Sequence, residues 1–163
     1  MSGDVVHRED GVHREDGVHA VRPCDIPNLV ILCAAHAHYE KAAYDPACKA
    51  PLLYRALFMK PPRLYSWMAW QGGVPVGYAT ASVEFSTFTA CEYVHMDCLF
   101  VDAEARGNGI GETLLDAVIA KARSLGLSEV QWQTPEWNAG AIRFYARQGA
   151  SAKAKQRFVL VLT

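Results

Sequence analysis

Leu99-Phe100-Val101, four further residues, and then Arg106-Gly107-Asn108-Gly109-Ile110-Gly111 make the stretch on which the fold turns. An apolar run enters a turn with three glycines in five residues. That turn opens onto a segment with Ile110, Leu114, Leu115, Val118, Ile119 and Ala122 at the spacing of one helix face. Glycine lets a backbone turn with positive φ and approach a ligand with no Cβ in the way. The unpaired N–H groups at the start of the helix converge on one spot, where the helix dipole favours an anion. A pyrophosphate suits such a spot, so the turn predicts a phosphate-bearing cofactor. A Walker A loop requires Gly-Lys-Ser/Thr, and Glu112-Thr113 follows Gly111 instead. A dinucleotide fingerprint starting at Gly107 would need a third glycine where Glu112 stands. A glycine turn that only caps the helix is the plain alternative, and coenzyme A is the nucleotide still open.

Working outward, Glu92 to Val101 predicts the strand that feeds the turn. Leu64 to Trp70 and Val74 to Phe85 read as a hairpin around Gln71-Gly72-Gly73, with Trp67, Trp70 and Tyr78 as core aromatics. Asp25 is placed to cap a helix running to about Ala43, and Leu52 to Met59 predicts a second helix stopped by Pro61-Pro62. A short strand over Val18 to Pro23 precedes them. Downstream, Gly126 ends the helix after the turn. Ser128 to Gln133 predicts a strand, Asn138 to Gln148 a helix stopped by Gly149, and Arg157 to Leu162 a last strand. Three antiparallel-type strands followed by β-α-β-α-β imply an α+β, or mixed α/β, domain.

The N-terminus has a different character. Val6 to Gly11 reads VHREDG, Val12 to Gly17 repeats it, and Val18-His19 begins a third copy. So polar a hexapeptide has little apolar surface to offset its ordering entropy, so residues 1–17 are expected to form a flexible leader to a single domain over 18–163. The formal net charge of -1 gives no reason to expect nucleic acid or an anionic membrane as a partner. Five cysteines without a C-x-x-C pair argue against a disulfide framework or structural zinc and for a reducing, cytoplasmic setting. No apolar run has the length of a membrane span. His36 and His38 are two apart on the first helix, about 200° around it, which rules out one metal bound from one face.

Leu99-Phe100-Val101, the spacer and RGNGIG are similar to the coenzyme A motif of the GNAT acetyltransferases, whose core is Arg/Gln-x-x-Gly-x-Gly/Ala; Arg106, Gly109 and Gly111 hold its defining places. Pro135-Glu136-Trp137-Asn138, then Ala141-Ile142-Arg143-Phe144-Tyr145 and Gly149-Ala150, resemble the next motif of that superfamily. Their form is nearest the branch holding the diamine (spermidine/spermine) and thialysine acetyltransferases. The resemblance spans about Val18 to Leu162. It implies a central, mostly antiparallel sheet of six to seven strands flanked by about four helices. It also implies acetyl-CoA as cofactor, direct attack by a primary amine of a small molecule in a ternary complex, and a homodimer.

The likeness also distributes roles. Leu99, Phe100, Val101, Arg106, Gly107, Asn108, Gly109, Ile110, Gly111 and Glu112 would hold the cofactor, with Asn138, Phe144 and Arg147 from the last helix. Asn138 and Tyr145 are seven apart and share a helix face. Tyr145 is the expected general acid for the leaving thiolate, since a phenol has a reference pKa of about 10. A bulge in the strand before the turn is the family's way of aiming a backbone N–H at the acetyl oxygen. Asp97 is expected to attract the ammonium and relay its proton. His95 is an alternative base, provided no bulge separates its face from that of Asp97. Tyr39, Glu40 and Phe88 match the substrate-side elements. One departure is plain: Asp97-Cys98 stands where polyamine enzymes carry an acidic pair, which argues against a long polycation. A coenzyme A-binding sensor without turnover and a protein or peptide N-acetyltransferase are the alternative functions. The phenol at 145 favours an enzyme over a sensor.

Overall fold

The structure, a computed structural model, describes residues 14–162. The first hexapeptide, and with it most of the expected leader, lies outside the described residues. The chain forms two compact units, one ending at Trp132 and one beginning at Gln133.

In the first unit β1 (Gly17–Ala20), β2 (Tyr65–Gln71), β3 (Val74–Ser86), β4 (Cys91–Val101) and β5 (Val130–Trp132) form a five-stranded sheet in that spatial order. The first three pairings are antiparallel, and β5 runs parallel to β4. α1 (Ile26–Tyr39) and α2 (Lys49–Phe58) precede β2, and α3 (Ile110–Ser124) joins β4 to β5. Such a crossover is what a parallel neighbour requires. Leu29 and Leu32 of α1 are buried with Met68, Trp70, Tyr78 and Phe100; Met68, Tyr78 and Phe100 lie opposite one another on β2, β3 and β4. α3 buries Leu114, Leu115, Val118 and Ala122, the stripe read from its 3.6-residue period. Among the described residues no helix is long and apolar enough to cross a membrane.

The first helix and the segment before it differ from expectation. α1 stops at Tyr39 rather than near Ala43, because Lys41 takes a left-handed φ of 56° and the Ala42 N–H returns to the Ala37 carbonyl at 2.9 Å. Asp25 precedes α1, but its carboxylate does not cap that helix; it accepts the Arg22 N–H at 2.7 Å and pairs with Arg14. Arg14 and Asp16 belong to the second hexapeptide, which is tied to the fold: Arg14 to Asp25, and Asp16 by the Gly72 N–H at 2.7 Å.

The second unit holds α4 (Ala139–Arg147) and the chain to residue 162. The strand expected over Arg157 to Leu162 is not formed, which leaves five strands among the described residues instead of six or seven. Phe158, Val159, Leu160, Val161 and Leu162 have the strand-forming side chains but no ladder partner, and all five are exposed. A strand is stabilised by pairing and cross-strand packing rather than by propensity alone.

Candidate functional site

The first unit builds its site at the end of β4. The β3–β4 register runs Ser82 against His95 and Ala81 against Met96, then jumps to Thr80 against Cys98, so Asp97 is an extra, bulged residue. The condition under which His95 and Asp97 would share a face therefore fails. His95 falls with Cys98 on the face of Tyr78 and Thr80, while Met96 and Leu99 take the other. Asp97 is exposed at the bulge. The β4–β5 ladder ends at Met96–Trp132, immediately before it. From Asp97 to Val101, β4 has β3 on one side and no ladder partner on the other among the described residues.

Beyond Val101 a short 3-10 turn, Ala103–Ala105, leads to the glycines. Gly107 (φ 85°) and Gly109 (φ 77°) are left-handed, and a Cβ on either would meet no protein atom within 4 Å. Gly109 is the N-cap of α3 and supplies no side chain to close it. Thr113 gives the first N–H bonded back within the helix, to Gly109 O at 3.0 Å, so the N–H groups of Ile110, Gly111 and Glu112 precede any helical acceptor. Open space above left-handed glycines and a ring of forward-facing donors fit a pyrophosphate. Arg106 braces the turn: its Nε–H donates to Val101 O at 2.9 Å, and its guanidinium lies 4.7 Å from the Tyr39 ring. Asn108 and Glu112 are exposed beside it, whereas the Phe100 side chain is in the core and its carbonyl oxygen faces Gly77 of β3.

α1 faces the bulge with a polar group set in the apolar core. His36 Nδ1 lies 2.9 Å from the Tyr78 hydroxyl, its ring stacks on Phe100 at 5.0 Å, and Nε2 is 3.4 Å from Glu40 Oε1. Burial holds the His36 pKa below its ordinary value, against the pull of Glu40 and then Asp97 toward the charged form. The Tyr78 hydroxyl also contacts the thiols of Cys33 and Cys98, and burial pushes the Cys98 thiol up to about 12. Tyr39 and Glu40, two of the predicted substrate-side residues, thus lie in this cluster or against Arg106. Phe88, the third, is fully exposed in the β3–β4 turn. Composition and period gave no signal for His36, which reads as any histidine on a helix, or for Tyr78, which reads as core. Gly77 carried one: a glycine within a strand pattern marks close backbone approach.

In the second unit Asn138 is the N-cap of α4, and its side-chain oxygen accepts the Ala141 N–H at 3.1 Å. Tyr145 lies seven residues on, its ring 5.2 Å from that of Phe144, and both are half-buried. Arg143 and Arg147 are exposed one turn apart.

A family model described as Acetyltransferase (GNAT) family matches residues 31–150. The L-ornithine N5-acetyltransferase of Arabidopsis thaliana is 32% identical over 77 residues, 47% of this chain and 34% of that protein. The thialysine N-epsilon-acetyltransferase of Caenorhabditis elegans is 26% identical over 125 residues, 77% and 76% of the two chains. The match takes in about a third of the plant protein and three quarters of the nematode one. Among solved structures, an aminoglycoside acetyltransferase from an uncultured soil metagenomic sample superposes with a TM-score of 0.78 at 19% identity, covering 90% of this chain and 96% of that one. An integron cassette protein from the mobile metagenome of Cole Harbour Salt Marsh gives 0.74 at 25%, with 90% of each covered.

Proposed function

The chain belongs to the GNAT acetyltransferase family, and from that premise we propose that it transfers an acetyl group from acetyl-CoA to a primary amine of a small molecule. One observation carries the reading: the β4–β5 ladder stops one residue before the Asp97 bulge, so an open strand edge runs directly into the glycine turn and the start of α3. An acyl-pantetheine chain with a pyrophosphate at its far end is a ligand of that form. The relatives' names point to amino-acid amines, ornithine and thialysine, rather than to a protein N-terminus.

The cofactor, when bound, supplies an activated acetyl group on a thiol leaving group. The main-chain N–H groups of Ile110, Gly111 and Glu112 would hold its phosphates, and the main chain of Leu99 and Val101 would pair with its arm. A backbone N–H at the bulge stabilises the oxygen that becomes negative as the amine attacks. Asp97, a carboxylate exposed at that bulge, attracts the ammonium and starts removal of its proton. On the family likeness, Tyr145 would be the proton donor to the departing sulfur and Asn138 a residue that holds the arm.

The test is direct. Coenzyme A should bind by calorimetry, and acetyl-CoA should release thiol when L-ornithine or another primary amine is added. Binding of coenzyme A without thiol release across a broad amine panel would make the protein a sensor. No binding at all would remove the proposal.

A further inference from the structure

α1 ends beside both the glycine turn and the bulge. Its last residue, Tyr39, lies against the Arg106 guanidinium at 4.7 Å, and Arg106 donates to Val101 O at the end of β4. One turn earlier, His36 stacks on Phe100 at 5.0 Å and feels the charge of Asp97 at the bulge. Glu40 is the residue that closes the helix. Helix electrostatics do not favour a carboxylate there, because a helix C-terminus is the negative end of the dipole and prefers a cation. Among the described residues neither lysine nor arginine forms an ion pair with Glu40, although Lys41 is next in sequence. Its ion-pair contact is His36, with Nε2 3.4 Å from Oε1, and the Glu40 N–H also returns to the His36 carbonyl at 2.9 Å.

The neighbours select a tautomer. Burial favours the neutral ring, so one nitrogen carries the proton and the other a lone pair. A carboxylate only accepts, which puts the proton on Nε2 and leaves Nδ1 to accept from the Tyr78 hydroxyl at 2.9 Å. The thiols of Cys33 and Cys98 flank that hydroxyl, and Cys98 also directs its S–H to Asp97 Oδ2 at 3.7 Å. The imidazole is 14% exposed and the Glu40 side chain 35%, so the ring is the buried support and the carboxylate the part that meets a ligand.

We propose that His36 is a positioning residue of this site, whose Nε2–H fixes the Glu40 carboxylate as the seat of the substrate's ammonium group. This rests on the acetyl-transfer reading above and deepens it. Asp97 keeps its place at the bulge, and Glu40 adds a second negative group from α1, a charge that Cys98 does not supply on β4. His36 itself exchanges no proton with the amine. The plain alternative is a pair four residues apart that only stabilises the helix, and such a pair would act on stability and not on substrate affinity.

Steady-state kinetics with L-ornithine test the pair. His36→Phe keeps a ring to stack on Phe100 but removes the N–H. KM for L-ornithine should rise about tenfold or more, with kcat held within about twofold and KM for acetyl-CoA unchanged. His36→Gln, whose amide N–H can reach Glu40 in place of Nε2–H, should recover most of that loss. Glu40→Gln should raise KM at least as far as His36→Phe does. The double variant should go no further, because either substitution alone removes what the other supports. Additive losses, a loss confined to kcat, or no recovery in His36→Gln would overturn the assignment. So would a wild-type protein that acetylates other amines but not L-ornithine. Imidazole 15N resonances of the wild-type protein give a readout that needs no tolerated substitution. The His36 proton should be found on Nε2, and saturating L-ornithine should shift that nitrogen. A proton on Nδ1, or no response, also overturns the proposal. Absence of coenzyme A binding would remove the acetyl-transfer reading, and this proposal with it, but would leave the tautomer unchanged, so the two failures are told apart.

Discussion

Gly77 lies so close to β4 that a Cβ on it would stand 2.7 Å from the carbonyl oxygen of Phe100. It would also stand 3.3 Å from Val101 Cα, and both contacts are backbone that no side-chain rotation relieves. Gly77 pairs with Val101, the last residue of the strand before the glycine turn. Gly77→Ala must therefore push the end of β4 away from β3. It should cost about 1–3 kcal/mol in urea unfolding and weaken coenzyme A binding in calorimetry, because Val101 O also anchors Arg106. An alanine variant as stable as the wild type would show that the strand end is not clamped.

Gly109 and Gly126 form a matched pair. Both have left-handed φ, 77° and 73°, and both have open space where a Cβ would go. Alanine at either should cost about 1 kcal/mol of backbone strain. Only at Gly109 would the methyl enter the space assigned to phosphate. Calorimetry should find coenzyme A affinity at least tenfold weaker in Gly109→Ala and unchanged in Gly126→Ala. Equal losses would make the effect one of helix stability alone.

Much of this is legible in the sequence. β2, β3 and β4 follow from apolar, aromatic-rich runs and α3 from its 3.6-residue period, with glycines at the β2–β3 turn and before α3, signals that depend on near neighbours. The family likeness implies a bulge in β4, but its place at Asp97 is not readable, because a bulge is a property of register between two strands, and only the jump from Ala81–Met96 to Thr80–Cys98 reveals it. The same holds for His36 and Tyr78, which are 42 residues apart and become partners only when α1 lies across β3. Arg157 to Leu162 erred the other way: local propensity was strong, but a strand needs an edge to join. The roles of Asn138 and Tyr145 came from family likeness, and the helix geometry alone places them one above the other on α4.

Arg14 and Asp25 should set part of the acid sensitivity of the fold. Burial alone would raise the Asp25 pKa, but the Arg22 N–H and the Arg14 guanidinium outweigh it and hold the carboxyl below its usual value. A group whose folded pKa is depressed contributes fully above its unfolded value, about 3.9, and loses that contribution as pH falls toward the lower folded pKa. Arg14→Ala takes the nearer of two cations from a carboxylate at 3% exposure and leaves it the Arg22 guanidinium at 3.6 Å. Such losses are about 3 kcal/mol. Urea midpoints at pH 7 and pH 3 should fall closer together in the variant, since part of what acid removes has already gone. A variant with the wild-type pH dependence would mean the pair contributes nothing.

Tyr145→Phe separates acid catalysis from cofactor binding. The substitution deletes one oxygen from a half-buried ring that packs on Phe144 at 5.2 Å, so the apolar contact survives. If the phenol protonates the leaving sulfur, kcat should drop by about a hundredfold or more while coenzyme A affinity holds. The basic limb of the pH–rate profile should disappear as well, because that limb reports loss of the phenolic proton. A more acidic leaving thiol no longer needs the donor. An acetyl thioester of an aryl thiol should therefore recover most of the lost rate, a rescue that a purely structural tyrosine would not give. Unchanged turnover with acetyl-CoA, or equal losses with both thioesters, would take the acid role away from Tyr145 and leave water as the proton source.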